Sequence, residues 1–84
     1  MKHNEILKKQ IIYRSMHRGT KEMDLLLGNF VKSHINKFDS DELKDLNKLL
    51  LLEDDIIYNW YFENNFKNVI QSTRVSKMLK KFKL

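Results

Sequence analysis

Eighty-four residues with no cysteine and a net charge of +5 describe one small domain without a disulfide framework or thiolate metal site, suited to a reducing compartment. A hydrophobic content of 42% suffices for a packed core, and no apolar run approaches the roughly 18 residues of a membrane span. Lys8, Lys9 and Gln10 interrupt any signal-peptide-like apolar region, although import from the cytosol stays open for a processed form.

The periodicity is helical throughout and nowhere strictly alternating, so residues 1–84 read as one all-α domain, a bundle of five short helices. The first, over 4–17, can be capped by Asn4 and carries Ile6, Leu7, Ile11, Ile12, Tyr13 and Met16 on a broad, imperfect stripe. Gly19 to Glu22 then reads as a capping box with glycine at the cap and Glu22 reaching back to the Gly19 amide. It opens a second helix over 20–36 with Met23, Leu27, Phe30, Val31 and His34 on one face. Asp39 and Glu42 repeat the capping signature for a third helix over 40–52, with Leu43, Leu46 and Leu50 inward. Asp54 and Asp55 favour the start of a fourth over 54–63 through the helix dipole. Ile56, Ile57, Trp60 and Tyr61 form its buried side, and Asn64 or Asn65 ends it in the left-handed conformation. Tyr58 and Tyr61 cannot both be fully buried. The fifth helix, over 66–81, turns Val69, Ile70, Val75, Met78, Leu79 and Phe82 inward. Short connections make neighbouring helices roughly antiparallel.

Charge is segregated along the chain. Residues 1–21 hold six basic groups against Glu5, and residues 39–55 hold seven acids against Lys44 and Lys48. Residues 67–84 are basic without an acid. Such patterning steers an oppositely charged partner, or simply solvates a helical surface. A small basic helical nucleic-acid binder is the competing class, resting on Arg74, Lys77, Lys80, Lys81 and Lys83. Against it, the middle third is acidic, and no helix joins base-reading side chains to a basic flank.

The inventory argues against an enzyme. His3, His17 and His34 have no partner at the three- or four-residue spacing that puts two metal ligands on one helix face. His34, on an apolar stripe, reads as a hydrogen-bonded core or boundary histidine. There is no phosphate loop, and the serines lack a nucleophile elbow. Glu22 and Asp24, two positions apart on a helix, diverge by about 200° and do not face one substrate atom. No metal or bound cofactor is expected. For Arg18, Gly19 and Glu22 two readings stand. One is an ordinary helix start with a solvated arginine. The other is a contact surface, where glycine admits a partner's backbone, Arg18 offers a bidentate fork and Glu22 meets a basic group or orients Arg18.

The stretch from Tyr13 to Phe30 resembles the signature region of the small FAD assembly factors that promote flavinylation of succinate dehydrogenase. Their mark, Arg-Gly-x-x-Glu followed by x-Asp and an apolar helix, matches Arg18, Gly19, Glu22 and Asp24. Leu27-Gly28-x-Phe30, the acidic leucine-rich third helix, and Asp55, Ile57 and Trp60 extend the resemblance from about Asn4 to Lys81. His17 stands where many members have a second arginine, which implies a weaker or pH-dependent contact there. The helix-four acid is displaced, with Ile56 in its usual place and Asp55 one step earlier, and Asn64 or Asn65 replaces a glycine.

The resemblance implies a five-helix factor that binds the flavoprotein subunit of succinate dehydrogenase, or of fumarate reductase. It would promote covalent attachment of FAD to a histidine of that subunit without retaining the flavin. Catalysis would then consist of orientation and preorganisation of the partner, which needs no reactive group from the helper. Arg18, Gly19 and Glu22 form the implied contact core, with Asp24, His17 and Arg14 as neighbours, while Trp60 is assigned to the core. Gly19→Arg is expected to block binding while sparing the fold. The implied setting is bacterial cytoplasm or, for a processed form, the mitochondrial matrix, with no nucleic-acid partner and no membrane insertion.

Overall fold

The computed structural model describes residues 2–63 and 70–83, which form five α-helices and one short 3-10 turn, with no strand among the described residues. In chain order they are α1 (Lys2–Met16), α2 (Lys21–His34), the 3-10 turn Ile35–Lys37, α3 (Ser40–Leu50), α4 (Asp54–Phe62) and α5 (Arg74–Lys81). The expected α4 end at Asn64 or Asn65, the α5 start near Phe66 and the inward Val69 lie outside the described residues.

Two strongly amphipathic helices build the centre. Met23, Leu26, Leu27, Phe30 and Val31 recur at three- and four-residue spacing on α2, and all are buried. Leu43, Leu46, Leu49 and Leu50 do the same on α3. Asp39 caps α3 as its spacing predicts: its side chain accepts from the Glu42 N–H at 2.9 Å, and Glu42 accepts from the Asp39 N–H at 3.1 Å. α1 packs against both α2 and α3, and α5 closes on α3. Ile57 and Trp60 bring α4 into the same core, and Val75 and Leu79 bring in α5.

His34 sits at the core boundary. Its ring stacks on Phe30 at 4.6 Å, and Nδ1 lies 3.0 Å from the Phe30 carbonyl oxygen. Trp60, 9% exposed, is a core residue as expected, and Lys80 seals its end of α4. The Lys80 ammonium stands 4.9 Å over the indole and donates to the Trp60 and Tyr61 carbonyls, where a cation suits a helix C-terminus. Tyr58 faces outward, while Tyr61 packs partly buried and donates its hydroxyl to the Phe82 carbonyl.

Two expectations are corrected. α1 does not bury its whole apolar stripe. Leu7, Ile11 and Ser15, four residues apart, form a narrow seam on the core, with Ile11 fully and Ser15 almost fully enclosed. At about 100° per residue, Met16 lies about 180° from Leu7. Ile6, Ile12, Tyr13 and Met16 accordingly remain exposed. The fifth helix begins at Arg74, and residues 71–73 are not helical. Thr73 caps it: its Oγ1 accepts from the Ser76 N–H at 3.0 Å, and Ser76 Oγ accepts from the Thr73 N–H at 2.9 Å. Serine takes the place of the usual Glu or Gln in this box.

Candidate partner-binding site

The turn between α1 and α2 contains the Arg18-Gly19-x-x-Glu22 motif, and its cap differs from the sequence reading. Thr20, not Gly19, is the N-cap residue. Its backbone is extended (φ −127°, ψ 157°) and its Oγ1 accepts from the Met23 N–H at 3.3 Å. A hydroxyl oxygen can satisfy an orphan helix donor and a glycine cannot, so the cap falls one residue later. Glu22 is thereby left exposed in the first turn of α2, with no hydrogen-bond or ion-pair partner for its carboxylate among the described residues.

Arg18 turns inward. Its side chain is 8% exposed, and its guanidinium bridges the end of α3 to the start of α4. Nε donates to Asp54 Oδ1 at 2.7 Å, Nη1 to the Leu50 carbonyl at 2.6 Å and Nη2 to the Leu52 carbonyl at 2.8 Å. The cation therefore sits at the carbonyl end of α3, and the Asp54 carboxylate sits at the amide end of α4. Both charges match the helix dipoles they meet. The expected bidentate hand for a partner is thus occupied by the chain's own carboxylate and carbonyls.

Asp54 has a second task. Its other oxygen, Oδ2, accepts from the Gly19 N–H. The neighbouring Arg18 N–H donates to Asp24 Oδ1 at 2.7 Å. Carboxylates from α4 and α2 thus hold two successive amides of the turn. A Cβ built on Gly19 would stand 2.9 Å from Asp54 Oδ2, closer than side chains tolerate. Any side chain at position 19 would have to push the Asp54 carboxylate aside, while the Gly19 φ lies outside the left-handed region. Gly19→Arg must therefore displace the Asp54 carboxylate as well as alter the outer surface.

The other candidates are distributed around this turn. His17 is exposed, stacks on Tyr13 at 3.9 Å between ring centroids, and places Nδ1 2.8 Å from the Tyr13 carbonyl oxygen. Arg14 is half-buried and donates to Asn47 Oδ1 at 2.9 Å, tying α1 to α3. Asp24 is half-buried through its bond to the turn. Of the six, Gly19, Glu22 and His17 present themselves outward, while Arg18, Asp24 and Arg14 hold the frame behind them. The sequence reading missed two neighbours. Met16 and Leu25 are about half exposed and flank a shallow groove of about 230 Å³ that Asp24, Gly28, Asn29 and Lys32 complete. The apolar stripe on α1 was the available signal, because a stripe too broad for one seam leaves some members outside. Asp54 was visible only as a helix-start acid; its partner Arg18 lies 36 residues away.

Among the described residues no group of three or more His, Cys, Asp or Glu side chains is placed to hold a metal ion. No helix among them is long and apolar enough to cross a membrane.

Comparison with known proteins places this arrangement in context. A family described as flavinator of succinate dehydrogenase matches residues 9–83. A mitochondrial succinate dehydrogenase assembly factor 2 of Dictyostelium discoideum is 45% identical over 56 residues, covering 67% of this chain and 40% of that protein. Its counterpart from Drosophila virilis is 36% identical over 75 residues, covering 87% of this chain and 48% of that protein. The FAD assembly factor SdhE of Acetobacter pasteurianus is 33% identical over 55 residues, 66% of this chain and 50% of that protein. The matched part thus spans half or less of these relatives. No solved structure matches.

Proposed function

The chain belongs to the family of succinate dehydrogenase flavinators, and from that premise we propose that it binds the flavoprotein subunit of succinate dehydrogenase and promotes covalent attachment of FAD to it. Gly19, Glu22 and His17 form the contact surface. Arg18, Asp24 and Arg14 support it from inside the fold. The observation that carries this reading is the exposed Glu22 carboxylate at the start of α2, without a partner among the described residues and beside a turn whose backbone amides are held by Asp54 and Asp24. An exposed carboxylate on the first turn of a helix can meet a basic group of the partner at little conformational cost.

The helper's contribution is geometric. It holds the subunit's domains so that histidine, flavin and dicarboxylate pocket are aligned, which lowers the barrier through orientation and leaves the bond-forming chemistry to the flavin. FAD is retained by the partner and not by this chain. A fumarate reductase flavoprotein is a second client of the same surface. Cytoplasm in a bacterium, or the mitochondrial matrix for an imported form, is the setting where such a subunit acquires its flavin.

The relatives support this reading and lend nothing to the nucleic-acid alternative. Two members of the basic run are also engaged within the fold. Arg74 pairs with Glu42 at 2.7 Å, and Lys80 donates to the end of α4. The test is co-elution of the chain with the flavoprotein subunit on size exclusion, with Glu22→Ala alongside. Co-elution abolished in the variant supports the reading. Failure of the wild-type chain to associate with a folded, FAD-supplied subunit removes it.

A further inference from the structure

We infer that Asp54 is a positioning residue for partner docking: it sets the Gly19 turn from the first residue of α4 without itself meeting the partner. The inference rests on the reading of this turn as the docking surface. Its basis is the division of one carboxylate between two donors of different kinds. Oδ1 takes the Arg18 guanidinium at 2.7 Å, and Oδ2 takes the Gly19 backbone N–H. The Asp54 side chain is only 20% exposed, so little of it is open to a second protein. Arg18 is anchored in turn on the Leu50 and Leu52 carbonyls. The position of the Gly19 backbone is thereby referred to the α3–α4 junction, 35 residues along the chain.

The two donors meet different oxygens, an arrangement that a carboxylate provides and an amide does not. An amide has one acceptor oxygen, and its NH2 group would face either the Gly19 N–H or the guanidinium, donor against donor. Asp54→Asn therefore preserves size and removes one hold. With the Arg18 anchor kept, the released group is the Gly19 amide, which exchanges with solvent. The docking turn must then be ordered on binding, a cost that falls on affinity.

The experiment measures the dissociation constant of the full chain for the apo flavoprotein subunit, using wild type, Asp54→Asn and Glu22→Ala. Hydrogen exchange at the Gly19 amide is followed in the free proteins, and circular dichroism confirms that each is folded. The expected result is faster Gly19 exchange and about tenfold weaker binding in folded Asp54→Asn. Faster exchange with wild-type affinity, while Glu22→Ala binds weakly, overturns the inference and leaves the docking surface standing. Unchanged Gly19 exchange in folded Asp54→Asn also overturns it, because Asp54 then does not hold the amide. Wild-type affinity in Glu22→Ala as well refutes the docking surface itself. If Asp54→Asn does not fold, Gly19→Ala replaces it, since its Cβ pushes on Asp54 Oδ2 while keeping both Arg18 and Asp54. A folded Gly19→Ala with wild-type affinity overturns the inference equally.

Discussion

Replacing Arg18 with alanine removes a guanidinium that is 8% exposed and donates three hydrogen bonds shorter than 3.0 Å. The substitution leaves the Leu50 and Leu52 carbonyls without this donor and Asp54, 20% exposed, without its cation. Breaking a buried pair on one side costs about 3–5 kcal/mol. Asp54 keeps the Gly19 N–H and the amide end of α4, and water can reach the vacated space, so the lower end, about 3 kcal/mol, is the expected loss. For a domain of this size that lowers Tm by roughly 12–24 °C, a large share of a total stability of order 5–10 kcal/mol. Urea titration followed by circular dichroism, with Arg18→Lys as the charge-preserving comparison, measures it. Lysine keeps one charge but not the planar fork, so it falls between wild type and alanine. An Arg18→Ala loss within about 0.5 kcal/mol, the range for an exposed side chain, would refute the inward clasp.

Gly28→Ala is expected to stabilise the chain by about 0.5–1 kcal/mol, because the added Cβ would meet only the Ser15 carbonyl at 3.8 Å and a mid-helix glycine is costly. A lower urea midpoint would mean that α1 and α2 sit closer than described. Trp60→Ala should cost about 3–5 kcal/mol through the cavity it leaves, and it also strips the Lys80 ammonium of the indole face beneath it. A wild-type melting curve would remove Trp60 from the core.

Much of the fold was legible because period and cap coincide in single elements. The Asp39–Glu42 box and three of the four buried α3 leucines speak in one local pattern, and spacing yields the buried face of α2 except Leu26. The errors arose where a local signal had two solutions. Gly19 and Thr20 are adjacent candidate caps, and the hydroxyl won because it supplies an acceptor. At α5 the serine at N3 closes a box that a search for Glu or Gln passes over. On α1 six apolar residues exceed what one helix seam can bury, and composition does not say which are left outside.

The site was legible as a motif but not as a geometry. The family resemblance picked out Arg18, Gly19, Glu22 and Asp24 as one constellation, and they lie in and beside one turn. It could not assign inner and outer roles, because Arg18 turns inward only when the α3–α4 junction presents the Leu50 and Leu52 carbonyls and Asp54. That junction is distant in sequence and leaves no periodic trace. Gly19 shows the same limitation. A glycine in a motif suggests close approach by something, and here the nearest group is the chain's own carboxylate.

Covalent flavin on the flavoprotein subunit, read as in-gel fluorescence after denaturation, decides whether this chain promotes its attachment, with the subunit expressed alone, with this chain, and with Glu22→Ala. Covalent flavin is expected to rise with the wild-type chain and to be lost with the folded variant. No gain with the wild-type chain, with the subunit folded and FAD supplied, would contradict it.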